Sequence, residues 1–294
     1  MLRTTRLMDV PMFFDLFKLR IGLVIGLTAL AGLAVTPGRS LPAWQVAALV
    51  LAETMAAAAA GAFNQMSERD LDGRMRRTCQ RAFVTGRLRA GPGWLAAILV
   101  LAGAGIGLAA AALNPMTAVY TFLGAFTYAI VYTKWLKRRT PWNIVIGGLA
   151  GSFAVLAGGA AVAPQSLQPV TLLFAAVLFL WTPPHFWSLA IAFHDDYAAA
   201  KVPMLPVVVG AARAARMVLG GAALLVAVTL VPAFLGMGRL YLVSACGAGL
   251  YLLVKSARLA RRPDPRTAMA NFHASLIYLA LLIGASIADS TLRI

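Results

Sequence analysis

Acidic residues are scarce in this chain. Its 294 residues include 10 Asp and Glu against 26 Lys and Arg, and charged residues of both signs make up only 12%. The two cysteines, Cys79 and Cys246, form no CxxC pattern and suggest no disulfide framework. With 61% hydrophobic residues and a mean hydropathy of +0.80, the composition excludes an ordinary soluble domain and indicates a membrane protein.

Most of the chain consists of long apolar stretches with few charged residues. Nine stretches have the length of about 20 residues that spans a bilayer as a helix, and they cover residues 20–37, 42–65, 92–113, 115–135, 142–163, 169–193, 215–236, 240–257 and 269–288. The alternating strands of a transmembrane barrel are not seen. Because backbone groups in lipid must pair within their own segment, we predict an all-α, polytopic membrane protein with nine transmembrane helices. No linker divides the chain, so residues 1–294 are expected to form a single integral-membrane domain.

The net charge of +16 is explained by membrane topology rather than by nucleic-acid binding. If the N-terminus is cytoplasmic, only Arg39, Arg239 and Arg293 among the 26 basic residues fall outside. This asymmetry predicts a cytoplasmic N-terminus and an outside C-terminus. Residues 1–19 show no signal-peptide pattern, so we expect a cytoplasmic N-terminal tail in a multi-pass protein of the bacterial inner membrane.

The first concentration of charge is "NQMSERDLDGRMRRT", residues 64–78. If the preceding helix continues, Asn64, Glu68 and Asp72 share one face at i, i+4 and i+8. Like charges at this spacing repel, which is explained if a cation lies among them. Mg²⁺ prefers such oxygen ligands and shares its shell with substrate phosphates. A solvated, salt-bridged loop is the alternative, and it explains the arginines well but the row of acids poorly.

The second concentration follows a helix that ends "FLWTPPHFWSLAIAFHDDYAAAKVPMLPVVVG", residues 179–210. Its proline pair removes backbone donors and predicts a kink. His185 follows at membrane depth, where a polar residue indicates a site. The alternative is a structural imidazole bonded to a freed carbonyl. Asp195 and Asp196 lie about three turns further on and could complete a second Mg²⁺ site facing the first.

Other polar residues are open to two interpretations. Lys137 and Arg138, in "YTKWLKRRTPWN", either grip phosphate or only mark the cytoplasmic side. Glu53 lies eleven residues before Asn64 on nearly the same face, about three turns deeper. A buried, protonated, hydrogen-bonded acid is the favoured interpretation of Glu53, and a proton pathway is the other; His273 is ambiguous in the same way.

Four segments together resemble the haem O synthase (protohaem IX farnesyltransferase) family of the UbiA-type intramembrane prenyltransferases. They are "NQMSERDLDGRMRRTCQR", "YTKWLKRRTPWNIVIGG", "WTPPHFWSLAI…DDYAAAKVPMLPVVVG" and "SLIYLALLIGASIAD", and the resemblance covers residues 12–289. The first resembles the superfamily's aspartate-rich motif, and the third narrows the resemblance to haem O synthases.

The chain also departs from the family pattern at several positions. Ala82 stands where the family has proline after arginine, and Leu19 stands between the basic residues of a Lys-Pro-Arg motif. Ala154 and Val155 replace a proline pair, His194 replaces a basic residue and Lys201 a glycine. None of these changes removes a proposed metal ligand, although together they could mark a divergent, less active paralogue or an altered acceptor.

The resemblance implies a UbiA-like helical bundle and Mg²⁺-dependent transfer of a farnesyl group from farnesyl diphosphate to a vinyl group of haem B, giving haem O and diphosphate. The implied catalytic residues are Asn64, Glu68, Asp72 and Asp196. The implied metal ligands are Asn64, Glu68, Asp72, Asp195 and Asp196. Diphosphate would be bound by Arg77, Arg81, Lys137 and Arg138. Haem would be bound or oriented by His185 and Trp181.

Implied partners are the two substrates and the lipid bilayer, with haem A synthase or terminal-oxidase assembly as further candidates and no nucleic acid. Three alternatives stay open at this point. A related prenyltransferase would act on a quinone precursor or a chlorin. A proton-coupled transporter would use Glu53, although transporters hold their key polar groups near the midplane. A non-catalytic assembly subunit of a respiratory oxidase would have no need of metal ligands such as Asp72.

Overall fold

The computed structural model describes residues 10–166 and 168–292, and every regular element within them is helical. The predicted N-terminal tail therefore lies partly outside the described residues, in positions 1–9. The elements are α1 Val10–Leu16, α2 Leu19–Val35, α3 Ala43–Ser67, α4 Arg69–Asp72, α5 Pro92–Ala112, α6 Pro115–Phe126 with its π-helical continuation Thr127–Leu136, α7 Asn143–Gly147, α8 Leu149–Val162, α9 Pro169–Ala192, α10 His194–Ala199, α11 Leu205–Val209, α12 Ala211–Phe234, α13 Arg239–Arg261 and α14 Pro265–Thr291.

The predicted spans are confirmed among the described residues as eight helices, or as nine when one bent pair counts as a span. Eight helical segments in the described part of the chain are long and apolar enough to cross a membrane. The pair α1 and α2, bent by 52° at a short break, supplies a ninth when it is counted as one span. Exposed apolar side chains cover the outside of the bundle, as expected for a surface whose solvent is lipid.

The helices close into a bundle through sequential and long-range contacts. Helix α2 packs against α3, α8 and α14, while α9 packs against α8, α12 and α14. The largest core cluster lies among α2, α8, α9, α12, α13 and α14 and includes Phe174, Tyr241 and Tyr278. Helix α9 runs without interruption through Pro183 and Pro184, and the Ser188 hydroxyl donates to the Pro184 carbonyl at 2.6 Å.

One expectation about α3 is wrong in detail. The helix ends at Ser67 and does not continue regularly to Asp72, because Glu68 has φ −106° and ψ 14°. The amide of Glu68 nevertheless donates to Asn64 O at 3.0 Å, and the amide of Asp72 donates to Glu68 O at 2.8 Å. These two bonds preserve helical spacing across the break, so the three side chains keep a common direction.

Helices α2 and α8 touch backbone to backbone at two glycines. A Cβ atom added to Gly158 would lie 1.8 Å from the Ala29 carbonyl oxygen, and one added to Gly32 would lie 2.2 Å from the Val155 carbonyl oxygen. Small residues at such crossings allow close van der Waals contact, which drives helix association in lipid.

This contact predicts a large stability difference between two glycine variants of α8. Gly158→Ala forces α2 and α8 apart and is expected to lower the free energy of unfolding by about 3 kcal/mol, the upper end for overpacking. Gly151→Ala is the matched control, since nothing lies within 4 Å of an added Cβ there. Unfolding curves in mixed detergent micelles provide the measurement, and equal effects at both positions would contradict the close crossing.

Candidate active site

The first acidic motif is buried at the end of α3. Asn64, Glu68 and Asp72 have only 3%, 1% and 3% of their surface exposed. Asp70, which lies between two of them in sequence, is exposed. Burial of these three side chains and exposure of Asp70 are expected if Asn64, Glu68 and Asp72 share an inward face.

Each of these three side chains is held by one basic residue of the chain. Lys18, in the turn between α1 and α2, donates from Nζ to Asn64 Oδ1 at 2.7 Å. Arg81 donates from Nη1 to both carboxylate oxygens of Asp72, at 2.9 and 2.8 Å. Buried acids are thus compensated by nearby cations, as burial of charge requires. The three pairs are Lys18 with Asn64, Lys137 with Glu68 and Arg81 with Asp72.

The pair of Glu68 with Lys137 is the most enclosed. The Lys137 ammonium group donates to Glu68 Oε2 and also lies over the ring of Tyr132, 5.8 Å from its centroid. Burial, the largest single influence, lowers the pKa of Lys137. The charge and hydrogen bond of Glu68, together with Tyr197 and Tyr128, outweigh burial and raise the pKa above the ordinary lysine value. The other oxygen, Glu68 Oε1, is buried and has no hydrogen-bond partner among the described residues.

A π-helical segment, Thr127–Leu136, brings two further polar groups to this cluster. Its wider turns are seen in the bonds from Lys137 N to Tyr132 O and from Thr133 Oγ1 to Tyr128 O. Thr133 Oγ1 then accepts from Asn64 Nδ2 at 3.1 Å, while Tyr128 OH accepts from Lys18 at 2.9 Å. Such segments are frequent at functional sites because they re-aim side chains within a helix.

The two acidic motifs meet at the same end of the bundle. Asp196, at the start of α10, lies with Oδ1 3.4 Å from Arg76 Nε and accepts the backbone N–H of Arg77 at 3.2 Å through Oδ2. Asp196 is buried, whereas Asp195 is exposed and pairs with His194 at 3.3 Å. The residues around this contact line a cleft of about 550 Å³. They are Arg76, Arg77, Ile191, Ala192, Phe193, His194, Asp195, Asp196 and Pro265.

The oxygen-rich lining fits a hard divalent cation in its chemistry. Glu68 Oε1 is a buried acceptor without a donor, which a cation could satisfy. Within residues 10–166 and 168–292, however, no three His, Cys, Asp or Glu side chains gather closely enough to form a metal centre by themselves. Any ion would therefore share its coordination shell with groups from outside the chain, as Mg²⁺ does with phosphate oxygens. The five-ligand assignment stays a prediction.

Arg138 is placed differently from its neighbour Lys137. Its guanidinium group forms two parallel bonds to the Asp70 carboxylate, at 2.7 and 2.8 Å, and both side chains are nearly half exposed. The hydrogen bonds from Arg138 lower the pKa of Asp70. Arg138 thus lies at the edge of the cluster, whereas Arg81 and Lys137 contact the buried acids directly.

His185 and Trp181 lie deeper in α9 and face α14. The imidazole stacks between the rings of Trp181 and Phe272. Its centroid lies 4.2 Å from that of Trp181 and 4.3 Å from that of Phe272. Its Nδ1 lies 2.6 Å from Ser275 Oγ, and the Trp181 indole donates to Ser275 O at 2.8 Å. The imidazole is therefore bonded to a serine hydroxyl and not to a carbonyl freed by the proline pair.

Glu53 is buried, with 4% of its surface exposed, and its Oε1 lies 2.6 Å from the Thr121 hydroxyl of α6. This agrees with the favoured interpretation of a hydrogen-bonded interior acid. His273, by contrast, is exposed. Sequence analysis gave no role to Lys18, Tyr128, Thr133 or Ser275, because their partners lie far along the chain and no local pattern records such contacts.

Comparisons with known proteins agree with this geometry. A profile of the UbiA prenyltransferase family matches residues 25–282. Protoheme IX farnesyltransferase 2 of Paramagnetospirillum magneticum is 55% identical over 97% of this chain and 98% of its own length. Protoheme IX farnesyltransferase 1 of the same organism is 46% identical over 96% and 99%. A UbiA homologue from Archaeoglobus fulgidus, solved with DMAPP and Mg²⁺, shares the fold with a TM-score of 0.70 at 16% identity, over 95% of this chain and 99% of that one.

Proposed function

This chain belongs to the UbiA prenyltransferase family, and we propose that it transfers a farnesyl group from farnesyl diphosphate to a vinyl group of haem B. The products are haem O and diphosphate. The names of relatives 55% and 46% identical over nearly the whole chain support this acceptor. The observation that carries the assignment is the contact of Asp196 with Arg76 and Arg77, since it holds the second acidic motif against the arginines of the first.

The reaction needs a site that stabilises a leaving diphosphate. As the allylic C–O bond breaks, negative charge grows on the departing group, and fixed cations oppose it where it develops. Arg77, Arg81 and Lys137 would supply three of these cations, with Arg138 at the rim. Mg²⁺, when bound, would neutralise the same charge. The oxygen atoms that would hold the ion belong to Asn64, Glu68, Asp72, Asp195 and Asp196.

The allylic carbon must then react with the vinyl group before it reacts with water. Apolar and aromatic side chains, including Tyr132, Phe193 and Tyr197, pack beside the acidic motifs and exclude bulk water from the reacting carbons. The new C–C bond leaves a cation on the linking carbon of haem. One water then adds its oxygen there and releases a proton, which produces the hydroxyl group of haem O. His185 and Trp181 would orient the porphyrin during these steps.

We also propose the cellular setting. The strong asymmetry of basic residues supports a bacterial inner-membrane location with the N-terminus and the acidic motifs on the cytoplasmic side and the C-terminus outside. Residues 1–294 act as one integral-membrane domain. Farnesyl diphosphate is then supplied from the cytoplasm, while haem enters and leaves through the bilayer, toward haem A synthase or terminal-oxidase assembly.

The alternatives are weaker on specific grounds. A quinone or chlorin acceptor has no support from the two named relatives. A proton-coupled transporter would need a path of acids, but Glu53 is bonded to Thr121 and the other acids around α3 and α10 cluster at one end of the bundle. A non-catalytic assembly subunit has no reason to bury Glu68 and Asp72 beside cations.

The direct test is mass spectrometry of haem extracted after incubation of the purified protein with haem B, farnesyl diphosphate and Mg²⁺. We expect haem B to be converted to haem O, and we expect EDTA to abolish the conversion and added Mg²⁺ to restore it. Absence of haem O in all conditions would refute the proposed acceptor. Prenylation of a quinone precursor under the same conditions would support the related enzyme instead.

A further inference from the structure

Ser275, on α14, contacts both residues expected to orient the porphyrin. Its backbone carbonyl accepts the Trp181 indole N–H at 2.8 Å, and its hydroxyl oxygen lies 2.6 Å from His185 Nδ1. Both Ser275 and His185 are buried, with 1% and 5% of their surface exposed. One residue of α14 therefore sets the position of two aromatic side chains of α9.

The hydrogen bonds around Ser275 decide which imidazole nitrogen carries a proton. The Ser275 hydroxyl has a single proton, and its oxygen lies 2.7 Å from the Phe272 carbonyl, which can only accept. That proton is therefore donated to Phe272 O, and the contact with His185 requires Nδ1–H to donate to Ser275 Oγ. A neutral imidazole has only one N–H, so Nε2 then has a free lone pair.

The ring cannot easily leave this orientation. It is stacked between Trp181 and Phe272 at interplanar angles of 19° and 24°, and the edge of Phe186 closes a third side with its centroid 5.1 Å away. Turning the ring over would put a carbon opposite Ser275 Oγ and lose the hydrogen bond. The hydrogen bond of the His185 side chain among the described residues is the one at Nδ1, so the lone pair of Nε2 has a fixed direction and is not used within this part of the chain.

We propose that Ser275 is a positioning residue that holds His185 in the tautomer with an unprotonated Nε2, and that this nitrogen ligates the iron of the haem acceptor. The inference rests on the proposed function, because haem is the substrate it concerns. Iron takes a lone pair from neutral imidazole, and a hydrogen bond donated from the opposite nitrogen fixes the tautomer and makes the ligand more basic. His185 would thereby fix the depth of the porphyrin in the bundle.

The test uses the full-length protein in detergent or nanodiscs, titrated with haem B. Wild type is expected to show a histidine-ligated haem spectrum, and His185→Ala is expected to lose it and regain it with added imidazole. Ser275→Ala should weaken haem B binding about 10- to 100-fold, the range for loss of a partner that orients a ligating histidine. Ser275→Thr, which keeps the hydroxyl, should bind more like wild type. His273→Ala is the matched control, because His273 neighbours Phe272 but is exposed.

A second readout separates tautomer control from simple packing. In the ferrous complex the iron–imidazole stretching frequency, measured by resonance Raman, depends on the hydrogen bond at the opposite nitrogen. We expect it to fall in Ser275→Ala and to be unchanged in His273→Ala. An unchanged frequency and affinity in Ser275→Ala would overturn the role of Ser275. An unchanged histidine signature in His185→Ala would overturn iron ligation by His185.

Assaying haem O formation in the same proteins separates failure of this inference from failure of the proposed function. If His185→Ala retains the wild-type spectrum and still makes haem O, only the ligation inference fails. If wild type neither binds haem B nor forms haem O, the proposed function itself fails. Thermal unfolding of each variant is measured in parallel, and Ser275→Thr decides the role of the hydroxyl if Ser275→Ala does not fold.

Discussion

Asp72→Asn is expected to lower kcat for haem O formation by about 10²- to 10³-fold, the range seen when one group that stabilises transition-state charge is lost. Asparagine keeps the shape of the side chain but removes the charge that accepts both bonds from Arg81. The buried carboxylate is also a proposed ligand for the cation that opposes charge on diphosphate. Rates at saturating farnesyl diphosphate and Mg²⁺ provide the measurement.

The matched control for this variant lies two residues away. Asp70→Asn removes an acid from the same motif, but Asp70 is about half exposed and pairs with Arg138 at the surface. Exposed pairs contribute about 1 kcal/mol or less, so the rate is expected to change by less than about fivefold. Comparable losses in both variants would mean that the motif acts through its overall charge, and the assignment of Asp72 would fail.

Lys137→Met is expected to lower the free energy of unfolding by about 3–5 kcal/mol, because it leaves the Glu68 carboxylate buried without its cation. The side chains of Glu68 and Lys137 are only 1% and 11% exposed, so water cannot replace the lost partner. The raised pKa of Lys137 also has a consequence for pH. The contribution of Lys137 to the free energy of unfolding is fully present below the ordinary lysine pKa, and it is lost only as the pH rises through the raised value.

A double variant separates stability from function at this pair. Lys137→Met combined with Glu68→Gln removes both charges and should recover most of the lost stability, yet it should remain inactive because it lacks both the phosphate-binding cation and the metal-binding acid. Arg138→Met is the neighbouring control and should cost about 1 kcal/mol or less, as its pair with Asp70 is exposed. Unfolding curves in mixed micelles are measured for wild type and for the three variants. If the double variant does not regain stability, the pairing of Glu68 with Lys137 is contradicted.

The membrane architecture could be predicted from particular features of the sequence. The apolar stretches at 42–65 and 92–113 became α3 and α5 because lipid requires about 20 apolar residues and an internally bonded backbone for each span. The shared face of Asn64, Glu68 and Asp72 was also predictable, since helical spacing survives the break at Glu68. The break itself was not, because a single irregular residue, Glu68, leaves no periodic signal.

The partners of the site residues could not be predicted in the same way. Lys18 reaches Asn64 across 46 positions, and Ser275 reaches His185 across 90. Nothing in a local pattern records which distant residue will complete such a contact. The π-helical segment Thr127–Leu136 is a further example, since it packs against α3, α7 and α8 and nothing unusual in its composition marks it.

The sequence alone determined that this protein lies in a membrane as a helical bundle and that its acids gather in two motifs after two spans. It could do so because hydrophobic length and charge asymmetry act locally, one segment at a time. Only the tertiary structure decided that Lys137 would face Glu68 while Arg138 faced Asp70 at the surface. Consecutive residues on a helix point in different directions, so the choice between neighbours depends on which face the other helices cover.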